Sequence, residues 1–392
     1  MTRLFFQRSV FVVVVSAMLI LLTRFFAIGR GTNSDLLAYT VGRQPTSLML
    51  YDFSNDSNKQ IFSSSDSLMF SLSDNGRLAY ASRESGEIYV LDTRAADPKA
   101  INITQTPTII EVPLAWSHDS RYLAFVSSQG DRPQLYIWDG EATVNITPND
   151  MADSIESYQV TWSDDGRLAF TVRYGFNVNG DTEIYIWDGK TTTNLSQNPI
   201  GEDSGPVWSE DGRLAFLSTR DGQYNIFVWD GLSFRDGSPD IKPFIDDPSA
   251  LIGYYSFPNW IPDGHLTFIS QTAVDTHTQI YVWDGQAATN ISQNPNLHNG
   301  IPMWSDNGHW AFVTYFSPQQ LLYVRDAGNR PLLTTEAQYS PAWSPNGLLV
   351  FCKPDPSWTL AVWDGQQIVN LVRNREIRAE WGNGNSVACS SG

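Results

Sequence analysis

Two cysteines in 392 residues cannot supply a disulfide framework, so this chain must hold itself together by packing. Positive charge is also scarce: 25 Lys and Arg stand against 42 Asp and Glu, a net charge of −17. Nucleic acid demands a basic stripe, so that partner class is excluded. The common catalytic signatures are missing. There is no Gly-x-Ser-x-Gly elbow, no His-Glu-x-x-His helix and no phosphate-cradling glycine loop, and only five histidines occur.

What is present is repetition. The cleanest copy reads Trp162-Ser163-Asp164-Asp165-Gly166-Arg167-Leu168-Ala169-Phe170, then Ile184-Tyr185-Ile186-Trp187-Asp188-Gly189, then Asn194-Leu195-Ser196. A period of about 40–45 residues with this content is the mark of a β-propeller. Each unit supplies four strands, a to d: a ends at Trp-Ser, b carries Leu-Ala-Phe, c carries Ile-Tyr-Val-Trp, and d carries Asn-Ile-Thr. Their alternation fits strands packed between neighbouring sheets. Seven complete units have strand-a anchors at Leu72, Trp116, Trp162, Trp208, Trp260, Trp304 and Trp343. Residues 35–62 lack a strand a, and Ala379-Glu380-Trp381-Gly382 offers one, so an eighth blade is expected from both termini. The expected fold is therefore an all-β propeller of eight four-stranded blades over 35–385. The Asp-Gly turns hold fifteen of the 42 acidic residues and five basic ones, which accounts for ten of the seventeen net negative charges. Most of the acidity is turn chemistry, because tight hairpins need φ > 0.

The repeat resembles that of TolB-like propellers, which carry Trp-Ser-Pro-Asp-Gly, Ile-Ala-Phe and Ile-Tyr-Val; Trp343-Ser344-Pro345-Asn346-Gly347 is the nearest copy. The resemblance covers about 35–385 and implies the fold. TolB itself joins a six-bladed propeller to a small α/β domain, for which this sequence leaves no stretch, so its role in an outer-membrane complex does not carry over. Related repeats form the propeller half of prolyl oligopeptidase-like and dipeptidyl peptidase-like enzymes, whose hydrolase half has no counterpart in this sequence.

Strand alternation puts the a–b and c–d turns on one face of the ring and the b–c and d–a loops on the other. The first two classes are monotonous; the length variation falls in the others, including 127–133, 173–182, 232–255 and 271–277. The variable face is the expected working surface. It carries Tyr174, Phe176, Tyr254, Tyr255, Tyr315, Phe316, Tyr339 and Trp358, a residue class suited to binding. Residues four or five before each strand-a Trp should ring the channel mouth. Glu111, Tyr158, Asp203, Tyr255, Asn299 and Tyr339 are the candidate binding residues for a protein, peptide or oligosaccharide ligand.

No catalytic activity and no cofactor are expected. The alternative is a carbohydrate- or peptide-processing enzyme with its site in the central funnel, using Glu111, Asp203 or His277. His277 and His298 read as alone in their loops, and His118, His265 and His309 as surface substitutes in turns. Asn177-Val178-Asn179-Gly180-Asp181-Thr182-Glu183 alternates oxygen ligands as a Ca2+ loop does. It lacks the leading Asp and a bidentate Glu at the right distance, so a plain turn is favoured.

Residues 9–29 form an apolar stretch of about 21 residues, near the length of a membrane span, behind the short flank 1–8 and ahead of a linker at 30–34. Arg24 would snorkel to the interface. A signal-anchor with an extracytoplasmic propeller is expected, with cleavage near Ala27-Ile28-Gly29 as the alternative. Cys352 and Cys389 align at one strand-b position in consecutive units. Packed sheets lie about 10 Å apart, beyond the ~7 Å Cα limit for a disulfide, so free thiols are expected, unless Cys389 lies in an unpaired tail within 386–392.

Overall fold

The Asp-Gly turns fix where each strand must reverse. In Ser163–Arg167 the Gly166 N–H donates to the Ser163 carbonyl (3.0 Å), and Gly166 sits at φ +83°, a conformation open to glycine at no steric cost. The Arg167 N–H then donates to Ser163 Oγ (2.9 Å), which is why serine opens the turn. At the c–d corner, Asp188 Oδ1 accepts the N–H groups of Thr191 (2.8 Å) and Lys190 (2.9 Å). Those two donors, Thr191 foremost, hold its carboxyl below the usual range.

The computed structural model describes residues 36–390, apart from 43–44, 83–84, 108, 130–132, 149–158, 174–180, 199–200, 221, 223–224, 236–237, 244–257, 271–276, 285–286, 293–295, 316–319, 355–357, 375 and 382–385; of 232–235, 238–243, 376, 381, 386, 388 and 390 it describes the backbone alone. The expected membrane segment 9–29 lies outside the described residues.

Eight antiparallel sheets make eight blades. We number them along the chain: blade 1 spans 68–102, blade 2 111–145, blade 3 160–194, blade 4 203–243, blade 5 259–290, blade 6 298–336 and blade 7 338–374. Blade 8 is the composite. Its strand b, Leu36–Val41, pairs antiparallel with Glu376–Trp381 as strand a, with Leu37 opposite Trp381. Within a blade, strand b is buried on both faces (Leu123–Ser127), whereas strand d is exposed (Thr143–Asn145). Strand a therefore edges the central axis. Prolines at 113, 206 and 341 accompany register shifts in strand a of blades 2, 4 and 7, where a missing N–H is tolerated and the edge is blunted.

The core is divided among the blade interfaces. Eight buried apolar clusters occur among the described residues, and each joins two adjacent blades, from the 1–2 interface (Ala79, Val90, Trp116, Phe125) round to 8–1 (Leu36, Leu48, Phe70, Leu78). Four of the strand-a tryptophans bridge these interfaces through their indole N–H, whereas those of Trp208 and Trp304 are buried without a partner. Trp116 donates to Ser71 O (3.1 Å), Trp162 to Ala115 O (3.2 Å), Trp260 to Val207 O (3.0 Å) and Trp343 to Met303 O (2.9 Å). Each acceptor immediately precedes the anchor of the previous blade. Blade 1 has Leu72 in place of Trp, and there the linkage changes form: the Leu72 N–H donates to Glu380 Oε1 (3.0 Å).

Two sequence expectations are overturned. Cys352 and Cys389 form a disulfide with Cα atoms 5.6 Å apart. The expectation placed Cys389 on strand b of its own blade, but that position is filled by Leu36–Val41. After Trp381 the chain doubles back as Ser386–Ser390, a fifth strand on the axis side of blade 8. Radiating blades converge toward the axis, and the small Ala342 and Ala379 in this interface permit the approach. The second correction concerns 232–255. Strand c of blade 4 runs on as Asn225–Arg235 and pairs with Ser238–Pro243, so 232–235 and 238–243 extend the c–d pairing on the Asp-Gly turn face. Length variation is thus not confined to the opposite face.

The disulfide closes a loop with a sequence separation of 37. Chain entropy gives it about 4 kcal/mol. Cys389→Ser, or reductant on the native protein, should lower the free energy of urea unfolding by about that amount, and alkylation of unreduced protein should add no mass. Glu380 adds a pH dependence. Burial pushes its carboxyl from the ordinary 4.5 up to about 7, against the pull of Arg378, the Leu72 amide and Ser71. Its folded value lies above its unfolded one, so its stabilisation is complete below pH 4.5 and is lost as pH rises through 7. Glu380→Gln keeps an acceptor for Leu72 and should gain stability relative to the native chain between pH 5 and 8, on the order of 2–3 kcal/mol.

Candidate functional site

Strand a starts on the variable-loop face and runs toward the Asp-Gly turns, so its first residues surround one mouth of the channel. Four candidates occupy that tier: Glu111, Asp203, Asn299 and Tyr339. Tyr158 and Tyr255 lie outside the described residues, as do Tyr174, Phe176, Tyr254 and Phe316. The register explains the tier. In blades 2 and 4 the first residue of strand a faces the hydroxyl that ends strand b, Glu111 opposite Ser127 and Asp203 opposite Ser218; in blade 6 the second residue, Asn299, faces Thr314.

The two carboxyls are buried, at 2% exposure for Glu111 and 0% for Asp203. Glu111 Oε1 accepts from Thr106 Oγ1 (2.9 Å) and Ser127 Oγ (3.0 Å), while Oε2 has no partner. Burial raises its pKa, and donation from Thr104, Thr106 and Ser127 opposes the rise. Asp203 accepts from Asn198 Nδ2 (3.3 Å) and lies 3.5 Å from Arg220 Nη2. Burial raises its pKa too, against Ser218 and Arg220. Asn299 donates to Thr278 O (2.8 Å) and Leu297 O (3.2 Å). Glu111 and Asp203 are held by their own blades and the loops leading into them, Asn299 reaches back to blade 5 through Thr278, and a whole blade separates Glu111 from Asp203.

The sequence reading missed the other half of this polar tier. The first or second residue of strand c joins it: Ser196 Oγ donates to Glu183 Oε2 (2.7 Å), and Ser292 Oγ to Gln279 Oε1 (2.8 Å). The same hydroxyls accept the strand-c N–H groups of Ile184 (2.9 Å) and Ile280 (3.3 Å). That is the work of the Asn-x-Ser/Thr phrase, whose Asn caps the end of strand d; Asn290 Oδ1 accepts the Ser292 N–H at 3.1 Å. A polar residue just before Ile-Tyr or Leu-Tyr in strand c (Gln134, Glu183, Gln279) was the available signal.

Histidine placement also departs from expectation. His277 and His298 are not isolated: their rings lie 4.7 Å apart, and His298 Nδ1 accepts the Thr278 N–H (3.3 Å). Burial and the neighbouring His277 lower the pKa of His298, which favours the neutral ring. Residues 177–180 of the possible Ca2+ loop are outside the described residues. Of its acids, Asp181 Oδ1 accepts the Gly201 N–H (3.3 Å) and Glu183 is engaged by Ser196. Among the described residues no three His, Cys, Asp or Glu converge on one point.

Tyr339 differs from its three tier-mates. It is half-buried, its backbone is held at φ +66°, and its ring packs on Trp358 at 5.5 Å. Trp358 begins strand c of the same blade, so both aromatics stand at the rim of the variable face. A left-handed conformation costs a bulky residue about 1–2 kcal/mol, a cost that persists only where the surroundings impose it.

No known family model matches this chain, and no curated protein matches it. Solved structures do share its fold. Prolyl oligopeptidase B from Galerina marginata is 12% identical with a TM-score of 0.57, over 82% of this chain and 54% of that one. Dipeptidyl peptidase 4 from Porphyromonas gingivalis is 13% identical with a TM-score of 0.55, over 82% and 56%. TolB from Acinetobacter baumannii is 16% identical with a TM-score of 0.40, over 80% and 79%. This chain spans about half the length of the peptidases it matches, and at these identities the likeness establishes the propeller fold alone.

The strain at Tyr339 is measurable. Tyr339→Gly should be about 1 kcal/mol more stable than Tyr339→Ala in denaturant unfolding, because both lose the ring and glycine alone is relieved of the backbone cost.

Proposed function

We propose that this chain is a binding module: a membrane-anchored, extracytoplasmic propeller that captures a protein, peptide or oligosaccharide on its variable-loop face. The observation that carries the reading is the strained Tyr339–Trp358 pair at that rim. A backbone cost kept at a surface aromatic is characteristic of functional sites, and large rigid rings suit contact surfaces. The channel-mouth residues Glu111, Asp203 and Asn299 act in this reading as buried posts that hold the rim in shape, with Tyr158 and Tyr255 as further contact residues. The Cys352–Cys389 disulfide supports the extracytoplasmic placement, since such bonds persist in oxidising compartments.

A second reading is an enzyme of peptide or carbohydrate chemistry. It draws support from the His277–His298 pair, a neutral imidazole beside a second ring on the variable face. This chain covers about half of the peptidases among the fold neighbours, and they lend it no catalytic residues.

Photo-crosslinking capture from intact cells decides between them. Tyr339→Ala and Tyr255→Ala should reduce recovery of the captured partner about tenfold, the scale of a contact worth about 1.4 kcal/mol, with the ring still folded. Unchanged capture would discard this rim as the contact surface. Turnover on a peptide and polysaccharide panel, abolished by His277→Ala, would establish the second reading instead.

A further inference from the structure

The blade interfaces repeat one contact on the Asp-Gly turn face. The residue after the turn reaches forward and covers the strand-a aromatic of the next blade. Arg77 lies 5.5 Å from the Trp116 ring, Arg167 4.4 Å from Trp208 and Arg213 4.3 Å from Trp260. Tyr122 stacks on Trp162 at 6.0 Å, and His309 lies 6.3 Å from Trp343. Arg213 shows the complete arrangement. Its guanidinium bonds to Asp211 behind it (2.9 Å), to the Gly264 carbonyl ahead of it (3.0 Å), and covers the Trp260 ring between them.

Between blades 5 and 6 the covering side chain is replaced. His265 stands where Arg213 stands one blade earlier, and it turns back to Asp263 (Nδ1 to Oδ2, 3.2 Å) instead of reaching Trp304. The consequences are visible in two places. A partly open cavity of about 610 Å3 lies there, lined by Asp263, His265, Asp284, Trp304, Asp306 and Gly308, among others. This interface has the thinnest apolar cluster, with five buried members against eight or more in each of the others among the described residues.

We infer that this cavity is a binding site for a guanidinium group, supplied by a ligand where its sister interfaces supply one from the chain. An aromatic face, an Asp behind and a glycine carbonyl ahead are the elements that hold Arg213, and Trp304, Asp263 and Gly308 occupy the matching positions. Asp284 and Asp306 add negative charge around the opening. The volume lies within the range of small-ligand pockets and exceeds what one arginine side chain requires. Desolvated cation–aromatic contact together with planar carboxylate pairing favours guanidinium over ammonium. The site lies on the face opposite the proposed partner surface and is independent of that reading.

The test is calorimetric titration of the full chain with two probes, agmatine and capped Gly-Arg-Gly, with capped Gly-Nle-Gly as the apolar control. Saturable binding of both arginine-type probes and none of the control is the expected result. Binding of the tripeptide alone would also support the site and would assign its ligand to a polypeptide. His265→Arg restores the sister arrangement and should weaken binding at least about tenfold while leaving or raising the melting temperature. Asp263→Asn should weaken it by a similar factor and serves if His265→Arg folds poorly. Absence of saturable binding by either probe, equal affinity for the control, or unchanged binding in both variants would overturn the assignment.

Discussion

A blade of this repeat cannot bury its own two faces, and everything else in the molecule follows from how each blade borrows its neighbour. Strand b lies between two sheets, and the strand-a tryptophan of the next blade is laid across the interface with its N–H on the previous strand. Large aromatic side chains in such positions are worth about 3–5 kcal/mol each on truncation to Ala. Eight interfaces close the ring and leave no terminal blade, so no capping unit is needed. The price falls on the seam, where blade 1 has no tryptophan and a buried carboxylate makes the inter-blade bond instead.

The two ends of the channel are built from different materials. At the Asp-Gly end, turns, guanidinium groups and indoles interlock, and the chain repeats itself because this geometry admits few alternatives. At the other end, a buried tier of carboxyls, amides and hydroxyls terminates blades 2 to 6 before the loops begin. Its hydrogen bonds stiffen the platform, although Glu111 Oε2 and Asn299 Oδ1 are buried within it without a partner. Rims above it, such as Tyr339 on Trp358, can then be held in conformations that a softer support would release.

The ring was legible because its signals are local. Trp-Ser-x-Asp-Gly gives the turn, the strand boundary and the inter-blade contact within a few residues, and the pairing of Leu36–Val41 with the Trp381 strand followed from counting what each end lacked. Features set by distance were not legible. The disulfide depends on a strand that doubles back toward the axis, and the His277–His298 contact on a loop of blade 5 meeting the first strand of blade 6. The candidate residues were chosen by position in the repeat, and Glu111, Asp203 and Asn299 lie near the start of strand a. Periodicity could not tell that the side chains would be turned into the blade, because burial depends on the hydroxyl opposite each one. The long hairpin of blade 4 escaped for a related reason: 232–243 break the repeat, and broken pattern reads as loop until a pairing partner is seen.

The position of the first described strand has a mechanical consequence. Leu36–Val41 is not at the edge of its sheet but lies between Thr46–Asp52 and Glu376–Trp381, hydrogen-bonded along both sides. Tension applied ahead of Leu36 and directed along that strand would load both ladders in shear, so that many bonds must fail together instead of unzipping singly. The strand bearing half of that load is itself flanked by one that is covalently joined to blade 7. Force entering at this point is therefore passed into the ring, and the weakest element under load is expected to lie elsewhere in the molecule.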